Sequence, residues 1–221
     1  MQLPQFKNRF VKAVPEWLVY VVGFAPAVWL IYSAFTGGLG FDPARSLEKE
    51  IGQWALKFLL VSLAITPFWH LTGINLAKYR RAFGLVAFGY VAVHLATYVG
   101  LDKQFDIAEI IEDVWKRPYI TIGMGAFVLL LPLAITSNAA SIKRLGTALW
   151  KNIHKLVYVI VPMGALHYVM LTKTWRLEPM LYLGAALLLL ALRHKMFDLR
   201  ARPQRRSAPA PINVQVGSLA P

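Results

Sequence analysis

Residues 150–172 read WKNIHKLVYVIVPMGALHYVMLT, and this stretch says most about the architecture and chemistry of the chain. From residue 153 onward it is apolar for about 20 residues, which is long enough for a helix to cross a membrane. It nevertheless carries two imidazoles, His154 and His167. Because a titratable side chain inside lipid is costly, an intramembrane histidine indicates a functional site.

Five further apolar segments precede or follow this one, so the sequence predicts an all-α polytopic membrane bundle of six helices. The predicted spans are residues 17–35, 52–71, 83–101, 119–136, 153–172 and 180–192, in a chain that is 57% hydrophobic. We therefore expect an N-terminal arm at residues 1–16, a six-helix transmembrane domain at 17–195 and a tail at 196–221. The tail is rich in Pro, Ala and Arg and is predicted to be disordered.

The net charge of +13 is divided unevenly between the two sides of the predicted membrane. Basic residues dominate the N-terminal arm, the connections after the second and fourth spans, and the tail. Since cytoplasmic loops are enriched in Lys and Arg, we expect both termini in the cytoplasm. The same distribution favours contact with anionic membrane lipid, and we do not expect nucleic-acid binding.

The outer connection at residues 102–117 is predicted to be an amphipathic helix on the membrane surface. Its apolar residues follow helical spacing, with acidic residues between them; they are Ile107, Ile110, Ile111, Val114 and Trp115. A lid packed on the bundle and an acidic docking face for a periplasmic partner both fit this pattern. We favour the lid.

A third intramembrane histidine, His94, lies in the third span. His94 is thirteen residues beyond Arg81 and His167 is sixteen beyond Lys151, which places both in the outer half of the membrane. Matching depth on two helices is what two axial ligands of one iron require. Each histidine could instead be a hydrogen-bonded core residue.

His154 lies near the inner surface, three residues beyond Lys151. Its candidate partner is His70 at the end of the second span, for which solvation is an equal alternative. On a straight helix the side chains of His154 and His167 point about 140° apart. A shared inward face therefore requires a kink, which Pro162 could supply.

Other metal chemistries fit the composition poorly. The chain has no cysteine, and its predicted spans have no carboxylate or histidine box to complete a zinc or di-iron site. No nucleophile motif indicates a hydrolase. Bis-histidine haem b, with both axial positions filled, remains, and it predicts electron transfer. Three tyrosines one turn from the histidines could line a porphyrin or simply pack the bundle; they are Tyr90, Tyr98 and Tyr158.

Three motifs together resemble the MsrQ (YedZ) family, the haem-binding membrane subunits of bacterial periplasmic methionine sulfoxide reductase systems. They are Arg80-Arg81-x-Phe83-Gly84-Leu85, then Tyr90-x-x-x-His94-x-x-x-Tyr98, then Arg144-Leu145-Gly146-x-x-x-Trp150-x-x-x-His154-x-x-x-Tyr158 with His167 following. The resemblance covers nearly the whole chain apart from its ends. More distantly, the chain is similar to the ferric reductase and NADPH oxidase membrane domain.

The resemblance implies that His94, His154 and His167 bind one or two haems b and that FMN is a further cofactor. It implies electron transfer from the quinone pool or a cytosolic flavin reductase to a periplasmic molybdopterin-containing methionine sulfoxide reductase. This chain would then be the electron-transfer subunit rather than the catalytic one. Four basic residues could bind the flavin phosphate, or equally lipid headgroups: Arg80, Arg81, Arg144 and Lys151.

One departure from the wider superfamily concerns the second haem. The oxidase domain has two histidines on each of two helices, whereas Arg80 and Arg81 occupy the region where the inner partner of His154 would fall. A second haem would therefore need irregular ligation. Two other functions stay open: a quinol-linked cytochrome b with a different outer acceptor, and a haem-free transporter that uses the histidines as a proton relay.

Overall fold

The computed structural model describes residue 11, residues 13–172 and residues 176–201, with the backbone alone for 196–201. Most of the predicted N-terminal arm and the predicted tail beyond residue 201 lie outside the described residues. The described chain consists of helices and short connections, as the all-α prediction requires. The helices are α1 (Glu16–Phe35), α2 (Pro43–Thr72), α3 (Arg80–Thr97), α4 (Ile107–Lys116), α5 (Pro118–Ile135), α6 (Ala139–His154), α7 (Val157–Leu171) and α8 (Leu177–Ala201). A 3-10 turn at Ala77–Tyr79 precedes α3, and a π-helical turn at Tyr98–Asp102 extends it.

Six helical segments in the described chain are long and apolar enough to cross a membrane, which confirms the predicted number. The second begins at Pro43 instead of residue 52. Asp42 caps it by accepting a hydrogen bond from the Arg45 amide at 3.1 Å, and Pro43 occupies the first helical position, where a missing N–H costs nothing. At the other end of the chain, α8 continues through residue 201, beyond the residue 192 that apolar periodicity indicated.

The fifth predicted span is two helices in the structure. The helix α6 ends at His154 and α7 begins at Val157, with a turn at residues 155–156 between them. The break between His154 and His167 therefore lies at this turn. Pro162, which the sequence suggests as a source of the kink, lies inside α7. A second bend lies within α6 at Gly146, whose φ of 75° suits glycine.

The centre of the bundle is α2, which packs against α1, α3, α7 and α8, while α5 packs against α7 and α3. The largest apolar core joins α2, α5 and α7 through buried side chains that include Leu59, Leu63, Leu130 and Ile160. Four helices, α2, α3, α5 and α7, consequently surround an internal space. Below, the α4 end of the bundle means the end that carries α4, and the opposite end is the one that carries the 3-10 turn.

Tyr90 links α3 to α1 through two hydrogen bonds. Its side chain is fully buried, and its hydroxyl donates to the Gly23 carbonyl at 2.8 Å and accepts from the Ala27 amide at 3.0 Å. In a regular helix these two α1 groups would bond to each other. Tyr90 thus contributes to packing between helices, as one of the two readings of the sequence proposed.

The predicted surface helix is present as α4, and a buried lysine attaches it to the bundle. The Lys103 ammonium, only 6% exposed, forms ion pairs with Asp113 at 2.7 Å and with Glu109, and the Tyr98 hydroxyl donates to Asp113 at 3.2 Å. Hydrogen bonds to Asp113 and Glu109 raise the pKa of Lys103. Burial raises the pKa of Asp113, but the Lys103 hydrogen bond and the charge of Arg117 outweigh it, so its pKa is lowered overall.

The apolar stripe of α4 largely faces away from the bundle. Ile107, Ile111 and Trp115 are exposed, whereas Ile110 and Val114 are half-buried and the charged Asp113 is buried. As the lid prediction requires, α4 packs against α5. The attachment of α4, however, is made by the ion pair of Lys103 with Asp113 and not by the apolar stripe. The outward apolar stripe is typical of a helix at a membrane surface.

Loss of the Asp113 carboxylate is expected to destabilise the α4 end. The contribution of Asp113 is present above its unfolded pKa of about 4 and disappears as the pH falls; that of Lys103 is lost only above about 10.5. We expect Asp113→Asn to cost about 2 kcal/mol at pH 7, which lowers the melting temperature by roughly 4–8 °C. Tryptophan fluorescence during heating in detergent measures this.

The control is Glu112→Gln, which removes an exposed α4 ion pair with Lys116 and is expected to change the melting temperature by less than about 2 °C. The difference between wild type and Asp113→Asn should shrink at pH 3, because protonation of this carboxyl in the unfolded chain, below its pKa of about 4, removes part of the contribution. Equal effects of the two substitutions at pH 7 would contradict the anchoring role of Asp113.

Candidate functional site

A cavity of about 820 Å³ lies between α2, α3, α5 and α7. Cofactor and ligand pockets are typically about 300–1,000 Å³. Apolar side chains line its deeper part; they include Leu56, Leu59, Val91, Phe127, Leu130 and Ile160. The cavity can therefore enclose a large, mainly apolar ligand.

Two of the predicted histidines, His94 from α3 and His167 from α7, line this cavity. Each is fixed by a hydrogen bond to the backbone of a neighbouring helix: His94 Nδ1 lies 2.9 Å from the Glu48 carbonyl oxygen, and His167 Nδ1 lies 2.6 Å from that of Tyr119. A carbonyl oxygen can only accept, so both Nδ1 atoms carry the proton and donate it. Both Nε2 atoms then keep a lone pair for a metal, as is usual for histidine ligands.

The spacing of the two rings suits a single metal between them. Their centroids are 6.3 Å apart, and their planes are inclined by 79°. An imidazole nitrogen binds a first-row metal at about 2 Å, so imidazoles on opposite sides of one ion have centroids about 6 Å apart once the ring radii are added. Within the described residues, no group of three or more His, Cys, Asp or Glu could hold a metal ion. A cofactor that brings its own equatorial ligands fits this pair.

Two glycines allow the neighbouring helices to lie against the imidazoles. A Cβ on Gly52 of α2 would be 3.0 Å from His94 Cε1, and a Cβ on Gly123 of α5 would be 2.9 Å from His167 Nδ1. These contacts are too short for a side chain, and only glycine permits such close approach. Neither glycine stands out in the sequence, because glycines occur in apolar spans for many structural reasons.

The mouth of the cavity, at the α4 end, is polar and mainly cationic. Its charged residues are Arg45, Lys49, Arg117 and Arg176, with Glu48 and Asp102 among them. Gln53 donates a hydrogen bond of 2.5 Å to the Tyr168 hydroxyl, and Tyr98 also lines the cavity. An apolar interior below a cationic mouth suits a ligand with an apolar body and anionic substituents.

The structure gives His154 different surroundings from the other two intramembrane histidines. Its Nδ1 lies 3.0 Å from the Trp150 carbonyl oxygen, the Trp150 ring stacks on it at 3.9 Å, and Ser137 Oγ lies 3.5 Å from its Nε2. His154 does not line the cavity. His70, its predicted partner, is exposed at the end of α2, where its ring lies 5.4 Å from that of Trp69.

The four basic residues predicted to bind a flavin phosphate are not alike in the structure. Arg81 forms an ion pair with Glu16 at 3.3 Å, whereas Arg144 and Lys151 are exposed on α6. Arg80 is partly buried, and its Nη2 donates to Thr66 Oγ1 at 2.6 Å. Arg80 alone of the four therefore reaches into the bundle.

Comparison with known proteins gives consistent relatives. Residues 51–165 match the family described as ferric reductase like transmembrane component. The chain is also similar to proteins named protein-methionine-sulfoxide reductase heme-binding subunit MsrQ. It is 50% identical to that of Brucella anthropi over 175 residues, 78% of this chain and 79% of the relative. With that of Agrobacterium fabrum the identity is 44% over 193 residues, 87% and 89% of the two chains.

The glycine contacts yield a stability prediction. In a helix, Gly→Ala usually stabilises by about 0.5–1 kcal/mol, but at Gly123 the added methyl would meet the fixed His167 ring. We expect Gly123→Ala to destabilise by about 1–3 kcal/mol, as overpacking does, measured as the melting temperature in detergent. The matched control on α5 is Gly125→Ala, whose Cβ would meet only the flexible end of Met163 at 3.1 Å. A stabilised Gly123→Ala protein would contradict the close approach.

Proposed function

Because the chain belongs to the MsrQ family of haem-binding subunits of methionine sulfoxide reductase, we propose that it passes electrons across the bacterial inner membrane through a haem b ligated by His94 and His167. Members of this family are multi-pass membrane proteins with a ferric reductase like transmembrane domain. This proposal rests on the two imidazole rings, whose centroids lie 6.3 Å apart in one cavity and whose Nδ1 atoms both donate hydrogen bonds to backbone carbonyls.

The donor set supports haem. If His94 and His167 both hold the iron, no coordination site would stay open, which suits one-electron transfer rather than oxygen chemistry. The Nδ1 bonds to Glu48 and Tyr119 increase the basicity of each ligand and hold its orientation, so little reorganisation is needed when the charge on a bound iron changes. Haem would supply the one-electron carrier, and the protein supplies the ligands, the apolar walls and the charge around them.

The cationic mouth supports one orientation of the haem. Haem carries two propionates, and the apolar depth of the cavity offers them no partner. Arg45, Lys49, Arg117 and Arg176 at the mouth would hold them by charge-assisted hydrogen bonds. The propionate edge would then face the α4 end of the membrane.

The direction of transfer follows from the charge distribution. Basic residues are concentrated at the opposite end of the bundle, so the positive-inside rule favours that end as cytoplasmic and the α4 end as periplasmic. The haem would lie in the outer half of the membrane. We propose that the chain passes electrons to a periplasmic molybdopterin-containing methionine sulfoxide reductase and receives them from the quinone pool or a cytosolic flavin reductase.

His154 remains a candidate ligand for a second haem near the cytoplasmic side. The stacked Trp150 and the nearby Ser137 hydroxyl would have to give way to a porphyrin there. These contacts therefore favour a single haem over two. A quinol-linked cytochrome b with a different periplasmic acceptor is the second candidate function, since the cavity geometry does not select the acceptor.

Replacing either cavity histidine is expected to abolish haem binding. In His94→Ala or His167→Ala, one axial ligand is gone and the opposite imidazole alone holds the iron, so the haem content per chain should fall at least about tenfold. The readout is the optical spectrum of the reduced, purified protein, with pyridine haemochrome quantification. His154→Ala is the comparison and should keep the b-type bands of the cavity haem. Unchanged bands in both cavity variants would refute the assignment.

Electron delivery can be tested in proteoliposomes. A quinol pool or a flavin reductase reduces the haem, and the periplasmic reductase with methionine sulfoxide is then added on the α4 side. We expect haem reoxidation only when both reductase and sulfoxide are present. Reoxidation that is independent of the reductase would favour the cytochrome b with another acceptor. A purified protein without haem would support the proton-relay transporter instead.

A further inference from the structure

A second polar cluster lies at the end of the bundle opposite α4, away from the cavity. Its members come from four helices: Thr66 of α2, Arg80 of α3, Tyr158 of α7 and Arg193 of α8. All four are partly buried. The proposed haem ligation uses none of them.

Arg80 has one hydrogen-bonding group without a partner. Its Nη2 donates a hydrogen bond to Thr66 Oγ1 at 2.6 Å. Its Nε is buried and has no hydrogen-bond partner among the described residues. A guanidinium offers five donors in a planar fork. An unsatisfied buried N–H of a charged group is costly, so it indicates that a partner is missing.

Arg193 brings a second positive charge to the same place. Its guanidinium carbon lies 4.9 Å from the centre of the Tyr158 ring, in a cation–π contact. The charges of Arg80 and Arg193 are close enough to repel each other, and Tyr158 also interacts electrostatically with Arg80. Two guanidinium groups and the Tyr158 side chain therefore lie in the same neighbourhood.

No described carboxylate forms an ion pair with the arginines of this cluster. Among the side chains that the structure describes, none of the ion pairs involves Arg80 or Arg193. By contrast, the neighbouring Arg81 is exposed and pairs with Glu16. Partly desolvated like charges without an anion between them are unfavourable.

We propose that Arg80 and Arg193, with Tyr158 and Thr66 beside them, form a binding site for a phosphate group. Paired guanidinium forks match the oxygens of a phosphate, and the site lies at the end of the bundle assigned to the cytoplasmic headgroup region. The phosphate belongs either to an anionic phospholipid or to a flavin mononucleotide. The site excludes Arg81, Arg144 and Lys151, which point to other surroundings, and it does not depend on the haem.

The test uses the full-length, haem-loaded protein and two pairs of probes. In one arm, equilibrium dialysis compares FMN with riboflavin, which lacks the phosphate. In the other, native mass spectrometry of the protein from nanodiscs compares retained phosphatidylglycerol with diacylglycerol. We expect the phosphate-bearing member of one pair to bind roughly tenfold more tightly, and the arm in which this occurs identifies the source of the phosphate.

Arg80→Gln and Arg193→Gln should each remove that preference, whereas Arg81→Gln, with the same change in charge one residue away, should keep it within about twofold. Arg80→Lys, which retains the charge but not the fork, should give an intermediate affinity. The haem bands report folding, and if Arg80→Gln loses them, Arg193→Gln and Arg80→Lys decide the question. No preference in either arm, or a preference that survives the Arg80 and Arg193 substitutions, overturns the site.

Discussion

Two hydrogen bonds from imidazole to backbone hold the functional part of this molecule in place. Each links a histidine on one helix to a carbonyl on another, His94 of α3 to Glu48 of α2 and His167 of α7 to Tyr119 of α5. Four helices must therefore pack in the right register before the two imidazole rings can lie 6.3 Å apart. Gly52 and Gly123 serve the same purpose, because they let α2 and α5 approach the rings that these bonds orient. The bundle thus acts as one rigid holder for the two imidazoles that we propose as ligands.

Charge is arranged differently at the two ends of this holder. At the α4 end, Lys103 is satisfied by acidic neighbours, and Arg117, which shares Asp113 with it, lines the cavity mouth together with Arg45, Lys49 and Arg176, where anionic substituents of a cofactor would lie. At the opposite end, Arg80 and Arg193 approach each other without a described carboxylate. Lys103 is thus a structural anchor, whereas the roles of topology signal and ligand contact are ones that we propose for other basic residues. Only the contacts of each side chain tell them apart.

The sequence predicted the six spans and the matched depth of His94 and His167, because apolar length and spacing along a helix are local properties. It placed the start of α2 too late, since Asp42 and Pro43 begin the helix in a segment too polar to look membrane-embedded. It offered Pro162 as a residue that could kink the helix between His154 and His167, whereas the turn in the structure lies at residues 155–156. The roles of Gly52, Gly123 and Arg193 depend on contacts between helices, which spacing in one chain does not reveal.

The central claim is that His94 and His167 are the two axial ligands of one iron. Electron paramagnetic resonance of the ferric, haem-loaded protein tests it most directly, because the signal reports both the number of axial imidazoles and the angle between their planes. With planes inclined by 79°, the account predicts a low-spin signal of the strongly anisotropic type given by nearly perpendicular imidazoles. A high-spin ferric signal from the intact protein, which requires an open or weakly filled axial position, would contradict it.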